Sequence, residues 1–441
     1  MGAPGPDAAS ASGPLPASAD PLRAAADRFG TPVGVTSVAA LEAAAAELRA
    51  AFPDPWLRAY SLKANDVPAV VERLGAMGLD ANVVSRGEWA VARRAGLPNE
   101  RITLEGIGKS AGDLRAAVRA AADGEALRWV AVESADELDD LAALAGRAGL
   151  GRGGRARLDV LLRLNPAVAP ETHAGLAVGH ETSKFGMTET ELTAAVSSTP
   201  EDGPLAIRGV HLHVGSQLGA VDAWRDAVRR GLALFSLLTA GRAGVDTFDV
   251  GGGFPVGVPG TVPPPGRFAE ESTRLLAGIP AERRPTRMAT EPGRFLVARS
   301  GVIVARVLHV RERAGVGRLV VVDAGMTELI RPMLYGARHR VAALTSLGAP
   351  VDPDDGAASG PASLDVSRAR VDGPVCEGTD TFGEHELPPL RRGDLVAIGD
   401  AGAYAASMAM TYNGRPAIPQ VLLEHDGTLT LGRARGRTIG R

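Results

Sequence analysis

The chain has 441 residues, of which 45% are hydrophobic and 22% are charged, and its formal net charge is −3. This length and composition predict a globular protein of two domains, one of which can be a barrel of about 250 residues. The charge balance excludes the basic surface that nucleic acids or acidic membranes require. A single cysteine, Cys376, excludes a disulfide within the chain. With no signal-peptide pattern and no run of 18 apolar residues, we expect a cytoplasmic protein that does not enter a membrane.

The first part of the chain predicts a short appendage before the main fold. Residues 1–20 consist mainly of Ala, Gly, Pro and Ser, which is typical of a disordered tail. Residues 21–36 are predicted to form a short helix and then an edge strand over 31–35, and to pack with the later β domain. Ser37 is a plausible helix cap, because apolar residues recur after it with the period of an amphipathic helix.

Short apolar strands then alternate with helical segments, which favours an α/β architecture. Eight strands are predicted, near residues 60, 83, 103, 131, 161, 211, 248 and 289. This alternation is typical of a closed parallel (β/α)8 barrel of the TIM type, rather than an open doubly wound sheet. We therefore predict a barrel over residues 37–301.

After residue 301 the pattern changes to strands that are joined by turns instead of helices. We predict a C-terminal antiparallel β domain over residues 302–441. The segment 348–365 is rich in Pro, Gly, Asp, Ala and Ser, which indicates an insertion in a loop. The predicted strands lie near 302–311, 319–322, 338–343, 369–375 and 395–398.

Polar or glycine-rich clusters follow four of the predicted barrel strands, where a barrel gathers its functional side chains. A lysine there can be desolvated enough to lose its proton and form an imine. A glycine turn lets backbone N–H groups approach a phosphate, and a carboxylate keeps a pyridine nitrogen protonated. Each cluster alone is typical of an ordinary structural feature such as a turn. No structural requirement, however, demands a lysine, a histidine, a glycine-rich turn and a glutamate together at strand ends. The clusters contain Lys63, His213 with Ser216, Gly252 with Gly253, and Glu291 with Gly293 and Arg294.

Six motifs in this order resemble the fold-type III pyridoxal-phosphate decarboxylases, which act on ornithine, lysine, arginine or diaminopimelate and share the architecture of alanine racemase. The resemblance covers roughly residues 30 to 425, and within this family the sequence is most similar to the diaminopimelate decarboxylase branch. The motifs are Tyr-Ser-Leu-Lys-Ala-Asn at 60–65, His-Val-Gly-Ser-Gln at 213–217, Asp-Val-Gly-Gly-Gly-Phe at 249–254, Glu-Pro-Gly-Arg at 291–294, Cys-Glu-Gly-Thr-Asp at 376–380 and Asp-Ala-Gly-Ala-Tyr at 400–404.

The resemblance implies pyridoxal 5'-phosphate as the cofactor and a role for each matching residue. Lys63 would bond covalently to the cofactor, His213 would stack on its ring, and Glu291 would pair with its pyridinium nitrogen. A further group would hold the phosphate or lie beside it: Ser216, Gly252, Gly253, Gly293, Arg294 and Tyr404.

The resemblance also implies how substrate is held and where the proton comes from. Cys376 and Glu377 would reach in from a partner subunit, so a homodimer with shared active sites is expected. Cys376 and Lys63 are the two candidates for donating a proton to the substrate Cα after CO₂ leaves. The side chains expected around the distal end of the substrate are Arg294, Arg331, Tyr335, Glu377 and Tyr404.

The expected activity is therefore the decarboxylation of meso-diaminopimelate to L-lysine, but several departures from the family pattern keep alternatives open. Gly378 and Thr379 replace a usual Ser-Gly pair, Asn82 replaces an aspartate, Arg86 replaces a glycine, and no asparagine follows Gly106. These changes are compatible with another amino-acid substrate, such as ornithine, lysine, arginine or a glutamyl or carrier-tethered derivative. A non-catalytic homologue that binds a partner protein is a further alternative, which the retained lysine, histidine and glutamate argue against.

Overall fold

The computed structural model describes residues 13–154, 156–258, 260–315, 317–354 and 365–437. In these residues the helices are α1 Ala19–Phe29, α2 Val38–Ala51, α3 Pro68–Ala76, α4 Arg86–Arg94, α5 Ala111–Ala122, α6 Ala135–Arg147, α7 Glu189–Ser198, α8 Asp222–Gly241, α9 Pro265–Ala277, α10 Arg294–Val297 and α11 Arg331–Tyr335.

The strands before residue 301 are β1 Val33–Ser37, β2 Leu57–Ser61, β3 Asp80–Val83, β4 Ile102–Leu104, β5 Trp129–Val132, β6 Leu158–Leu164, β7 Leu205–Leu212, β8 Thr247–Asp249 and β9 Arg287–Thr290. Those that follow are β10 Gly301–Arg313, β11 Gly317–Val322, β12 Val341–Ala343, β13 Thr345–Ser346, β14 Ala349–Pro350, β15 Ser367–Asp372, β16 Thr381–Leu387, β17 Leu395–Ile398, β18 Gln420–Leu423 and β19 Leu429–Arg433.

Strands β2 to β9 form a closed barrel in chain order, and every pair in it is parallel, including β9 with β2. The predicted (β/α)8 barrel is confirmed, with its eight strands where the sequence placed them. The strands are short apolar runs because both of their faces are covered, by the barrel interior on one side and by helices on the other. Residues such as Val130, Val160 and Phe248 are fully buried.

Hydroxyl side chains begin many of the outer helices. Ser37, Ser85, Ser110, Ser134 and Thr188 each accept a hydrogen bond from a backbone N–H group in the first turn of the helix that follows. Such a cap satisfies a donor that has no partner within the helix. The predicted cap at Ser37 is among them, and these caps fix where the chain turns back from each strand.

The second sheet runs in the order β16-β15-β11-β10-β1-β18-β19, and β17 pairs with both β10 and β12. The predicted second β domain is confirmed, and its sheet is mixed: most pairs are antiparallel, but β1 with β18 and β11 with β15 are parallel. None of the helices in the described ranges combines the length and apolar character needed to cross a membrane.

The structure corrects two expectations about the start of the chain. The strand predicted as an edge over 31–35 is wrong in its position, because β1 lies inside the second sheet, between β10 and β18. Disorder over 1–20 does not hold for residues 13–20: Leu15 is buried and α1 begins at Ala19. The other part of that predicted tail, 1–12, and residues 355–364 of the predicted loop insertion lie outside the described residues.

The pairing of β7 with β8 leads to a test of the barrel. A Cβ atom at Gly209 would lie 1.7 Å from the carbonyl oxygen of Thr247, a backbone atom that no rotamer change can move. We expect Gly209→Ala to lower the free energy of unfolding by about 1–3 kcal/mol or more. Thermal unfolding followed by circular dichroism measures this. Gly266→Ala in α9 is the control, since a Cβ there meets nothing within 4 Å. Equal melting temperatures for the two variants would contradict the register described above.

Candidate active site

A cavity of about 410 Å³ opens at the carboxyl ends of the barrel strands. Its lining comes from the ends of several strands and from one loop of the second sheet, as expected for a barrel. Eight of the residues predicted for the site line it together: Lys63, His213, Ser216, Gly253, Glu291, Gly293, Arg294 and Tyr404. Gly252, which was also predicted, directly precedes Gly253 in the chain.

Lys63 lies on a single 3-10 turn, Leu62–Ala64, directly after β2. Residues of the second sheet's loop hold this turn. The N–H group of Tyr404 donates to the Ala64 carbonyl (2.7 Å), and the hydroxyl of Ser407 donates to the Lys63 carbonyl (2.9 Å). The Lys63 side chain is exposed to the cavity while its backbone is fixed.

Glycines after β8 make the close backbone approaches that the site needs. A Cβ atom at Gly252 would lie 2.1 Å from the Glu291 carbonyl oxygen, and Gly253 has φ +101°, which disfavours any larger residue. The N–H group of Gly252 donates to Nδ1 of His213 (3.2 Å), which fixes that ring. Burial, and then the nearby charge of Lys63, hold the pKa of His213 well below its usual range, so the ring is neutral.

The Arg294 guanidinium is held at the opposite wall. Its Nη2 and Nε donate to the hydroxyl of Ser216 at 3.1 and 3.3 Å, and its central carbon lies 4.9 Å from the centre of the Tyr404 ring. Gly293 allows this approach, since a Cβ there would already lie 3.2 Å from the Cβ atoms of Ser61 and Ala64. A cation stacked on an aromatic ring beside a hydroxyl suits an anionic ligand.

Glu291 lies at the base of the cavity, in a cluster that the sequence analysis did not find. Nε2 of His211 lies 3.4 Å from a carboxylate oxygen of Glu291 and 3.4 Å from one of Glu105. Behind them Arg163 forms a buried ion pair with Glu133 (2.5 Å). The signal for His211 was available, because it lies on β7 two residues before His213, which directly follows that strand, and residues so spaced in an extended chain point to the same face.

Other predicted residues lie outside this cavity. Arg331 is buried, with its guanidinium carbon 5.5 Å from the Tyr404 ring centre and 5.2 Å from that of Tyr335, so both border the site without lining it. Cys376 and Glu377 are exposed, and the single chain does not bring them to Lys63. Instead, the hydroxyl of Tyr412 donates to Glu377 (2.8 Å).

A lysine amine, a glycine cradle and a buried carboxylate at one end of a (β/α)8 barrel define a pyridoxal-phosphate enzyme of the barrel class. The chain belongs to the pyridoxal-dependent decarboxylases, whose pyridoxal-binding domain matches residues 38–298.

Relatives of known activity match nearly the whole chain. It is 34% identical to the diaminopimelate decarboxylase of Aquifex aeolicus over 94% of this chain and 91% of that protein. It is 35% identical to the diaminopimelate decarboxylase of Actinosynnema pretiosum, over 90% and 85% respectively. The crystal structure of the Helicobacter pylori diaminopimelate decarboxylase complexed with L-lysine superposes with a TM-score of 0.82 at 29% identity, covering 94% of this chain and 97% of that one.

The cofactor of this family, pyridoxal phosphate, fits the residues present. Oε1 of Glu291 is buried without a hydrogen-bond partner among the described residues, as expected of an acceptor reserved for a ligand. The glycine backbone after β8 and the hydroxyl of Ser216 offer donors of the kind that hold a phosphate. Lys63 supplies the amine, and the cavity holds all of these groups together.

Filling the glycine cradle tests this fit. Because a Cβ at Gly252 collides with the carbonyl of Glu291, we expect Gly252→Ala to weaken retention of pyridoxal phosphate by about tenfold or more, which is about 1.4 kcal/mol. The visible absorbance that remains with the protein after dialysis measures this. Gly241→Ala at the end of α8, where a Cβ meets nothing within 4 Å, should retain the cofactor like the wild type. Equal retention in both variants would show that the cradle is not needed.

Proposed function

We propose that this decarboxylase removes CO₂ from meso-diaminopimelate to form L-lysine. The single observation that carries the proposal is the arrangement around Lys63: a chain similar over nearly its full length to diaminopimelate decarboxylases keeps a lysine, a neutral histidine, a buried glutamate and a stacked arginine in one cavity.

The proposed chemistry assigns a task to each of these side chains. Pyridoxal phosphate supplies an aldehyde that bonds to amines and a pyridine ring that accepts an electron pair. Lys63 would hold the cofactor covalently through its amine. Glu291 would accept a hydrogen bond from the protonated ring nitrogen and so keep that nitrogen positively charged. His213, fixed by the N–H group of Gly252, supports the ring face.

The reaction breaks the bond between Cα and the carboxylate, and the carboxylate leaves as CO₂. The electron pair left at Cα takes up one proton, so that one substrate and one proton give one lysine and one CO₂. Lys63 and Cys376 are the candidate donors of this proton. Lys63 is inside the cavity, whereas Cys376 is exposed and requires a second chain to reach it.

The distal end of the substrate carries an ammonium and a carboxylate. Guanidinium groups bind carboxylates in a bidentate fashion, and Arg294 and Arg331 both lie within 5.5 Å of the Tyr404 ring centre. Tyr335, beside Arg331, would complete that wall. Glu377 is the proposed partner of the ammonium, because its carboxylate is exposed and hydrogen-bonded only at one oxygen to Tyr412.

We propose in addition a homodimer in which Cys376 and Glu377 of one chain complete the cavity of the other. The exposure of both side chains, away from Lys63 of their own chain, supports this. The cytoplasmic location expected from the sequence is part of the same proposal.

The substrate is tested by following CO₂ release from the purified, cofactor-loaded protein. We expect turnover of meso-diaminopimelate and little or none of L-lysine or L-ornithine, because these two lack the distal carboxylate that the arginines bind. Arg331→Gln should raise KM by about tenfold or more through the loss of a charged contact. If CO₂ were released from ornithine or lysine but not from meso-diaminopimelate, the proposed substrate would be wrong and that amino acid would take its place. If no amino acid that is tested released CO₂, the assignment of decarboxylase activity would be contradicted.

The shared site is tested by mixing two inactive variants. Lys63→Ala and Glu377→Ala should each be inactive alone. After mixing, mixed dimers hold one site with both residues intact, so roughly a quarter of wild-type activity should return. Refolding either variant alone through the same procedure is the control. If no activity returns while sedimentation shows mixed dimers, the two residues act in the same chain.

A further inference from the structure

Three buried side chains meet at the base of the cofactor cavity. Glu105 follows β4, His211 is on β7, and Glu291 follows β9; they are 3%, 1% and 4% exposed. One imidazole nitrogen and one carboxylate oxygen of each glutamate all lie within 4.8 Å of one another. The expected role of Glu291 does not explain why a second carboxyl, that of Glu105, is buried beside it.

The surrounding charges do not compensate two carboxylates. The buried cation on this side, Arg163, is already engaged by Glu133 at 2.5 Å. The other titratable groups that face the cluster are Lys63, across the cavity, the neutral His213, and Asp249, a third buried carboxyl, at the end of β8. Among the described residues neither carboxyl has a cation of its own, so keeping both groups ionised at this distance is unfavourable.

We infer that Glu105 keeps its proton at neutral pH beside a neutral His211, and that Glu105 is thereby a positioning residue that leaves Glu291 as the one carboxylate facing the cofactor nitrogen. The inference rests on the proposed placement of the ring nitrogen at Glu291. It concerns no substrate, so it stands or falls separately from the diaminopimelate assignment.

The donors around Glu105 fit this assignment. The amide of Asn82 donates to its Oε2 (2.9 Å), and the indole of Trp129 lies 3.5 Å from its Oε1. Both donors are neutral, so they orient the carboxyl without supplying a positive charge to keep it ionised. A proton held by Glu105 leaves Glu291 with a full carboxylate for the ring nitrogen while the site as a whole carries one negative charge instead of two.

The pKa values of the cluster agree in direction. Burial, and then repulsion by Glu291, raise the pKa of Glu105 to about 8, and burial lowers the pKa of His211 to about 4. Burial also raises the pKa of Asp249 well above its usual range. At about pH 7 Glu105 is therefore protonated and His211 is neutral.

These shifts have opposite effects on stability. Between about pH 4 and 6.5 the unfolded chain binds the proton of His211 more tightly, so stability rises with pH. Between about pH 4.5 and 8 the folded chain binds the proton of Glu105 more tightly, so stability falls as pH rises. Above about pH 6.5 the contribution of His211 is complete and the decline due to Glu105 remains, together with any from Asp249, which has the same sign.

Glu105→Gln tests the inference, because glutamine keeps the shape and a donor but carries no titrating proton. Full-length protein without cofactor should lose part of the fall in melting temperature between about pH 6.5 and 8. In both cofactor-free and loaded protein, the infrared band of a protonated carboxylic acid at about pH 7 should diminish in the variant. Glu47→Gln, at an exposed position of α2, should change neither.

An unchanged slope of melting temperature with pH, or an unchanged carboxylic-acid band in Glu105→Gln, would overturn the inference. If that variant does not fold, the wild type alone decides: its carboxylic-acid band should weaken as the pH passes about 8, by the part that belongs to Glu105. A wild-type protein with no such band at about pH 7 would also overturn it. A merely packing role for Glu105 would change the melting temperature at all pH values equally and would leave the slope intact.

Discussion

The backbone hydrogen bonds between the Lys63 turn and the loop of the second sheet are the constraint on which the site depends. A turn that leaves a strand has carbonyl groups without strand partners, and buried polar groups of this kind need partners elsewhere. Tyr404, which has a left-handed backbone conformation (φ 58°), donates its N–H group to the Ala64 carbonyl. In return, the side-chain amide of Asn65 donates to the Gly402 carbonyl (2.9 Å). The barrel alone would therefore not fix the lysine, and the second sheet is part of the catalytic scaffold.

The order of the chain reinforces this dependence. Strand β1 precedes the barrel in sequence but lies in the second sheet, between β10 and β18. The second sheet is thus completed only by strands from both ends of the chain, and the loop that holds Lys63 lies between two of them, β17 and β18. A substitution that destabilises the second sheet should therefore alter the position of Lys63, even where the substituted residue is distant from the cofactor cavity.

A second constraint is electrostatic. The buried charges around the barrel rim are matched in pairs: Lys109 lies 3.0 Å from Glu137, and Arg163 lies 2.5 Å from Glu133. Paired charges recover part of the cost of leaving water. The base of the cavity is different, since within the described part of the chain Glu291 forms no ion pair with a lysine or arginine and has only the neutral His211 beside it. Under the proposed function, its partner would be the protonated ring nitrogen of the cofactor.

Much of the fold was predictable from the sequence because parallel barrel strands are buried on both faces and appear as short apolar runs between helices. The position of β1 was not, since nothing near Val33 in sequence reveals that β10 and β18 will flank it. The cavity residues followed from ordered motifs, each a few residues long. His211 was missed although the spacing to His213 contained the signal, and Glu105 was missed because its role depends on contacts with other strands.

Two of the departures from the family pattern have different physical settings. Asn82, where an aspartate is usual, donates its amide to Glu105. An aspartate there would place another carboxylate against the buried Glu105, whereas the neutral amide donates a hydrogen bond to it. Gly378 and Thr379 are instead exposed beside Glu377, on the surface proposed to meet the partner chain. The first departure is accounted for within one chain by charge and requires no change of substrate, whereas the second can alter what the proposed shared site recognises.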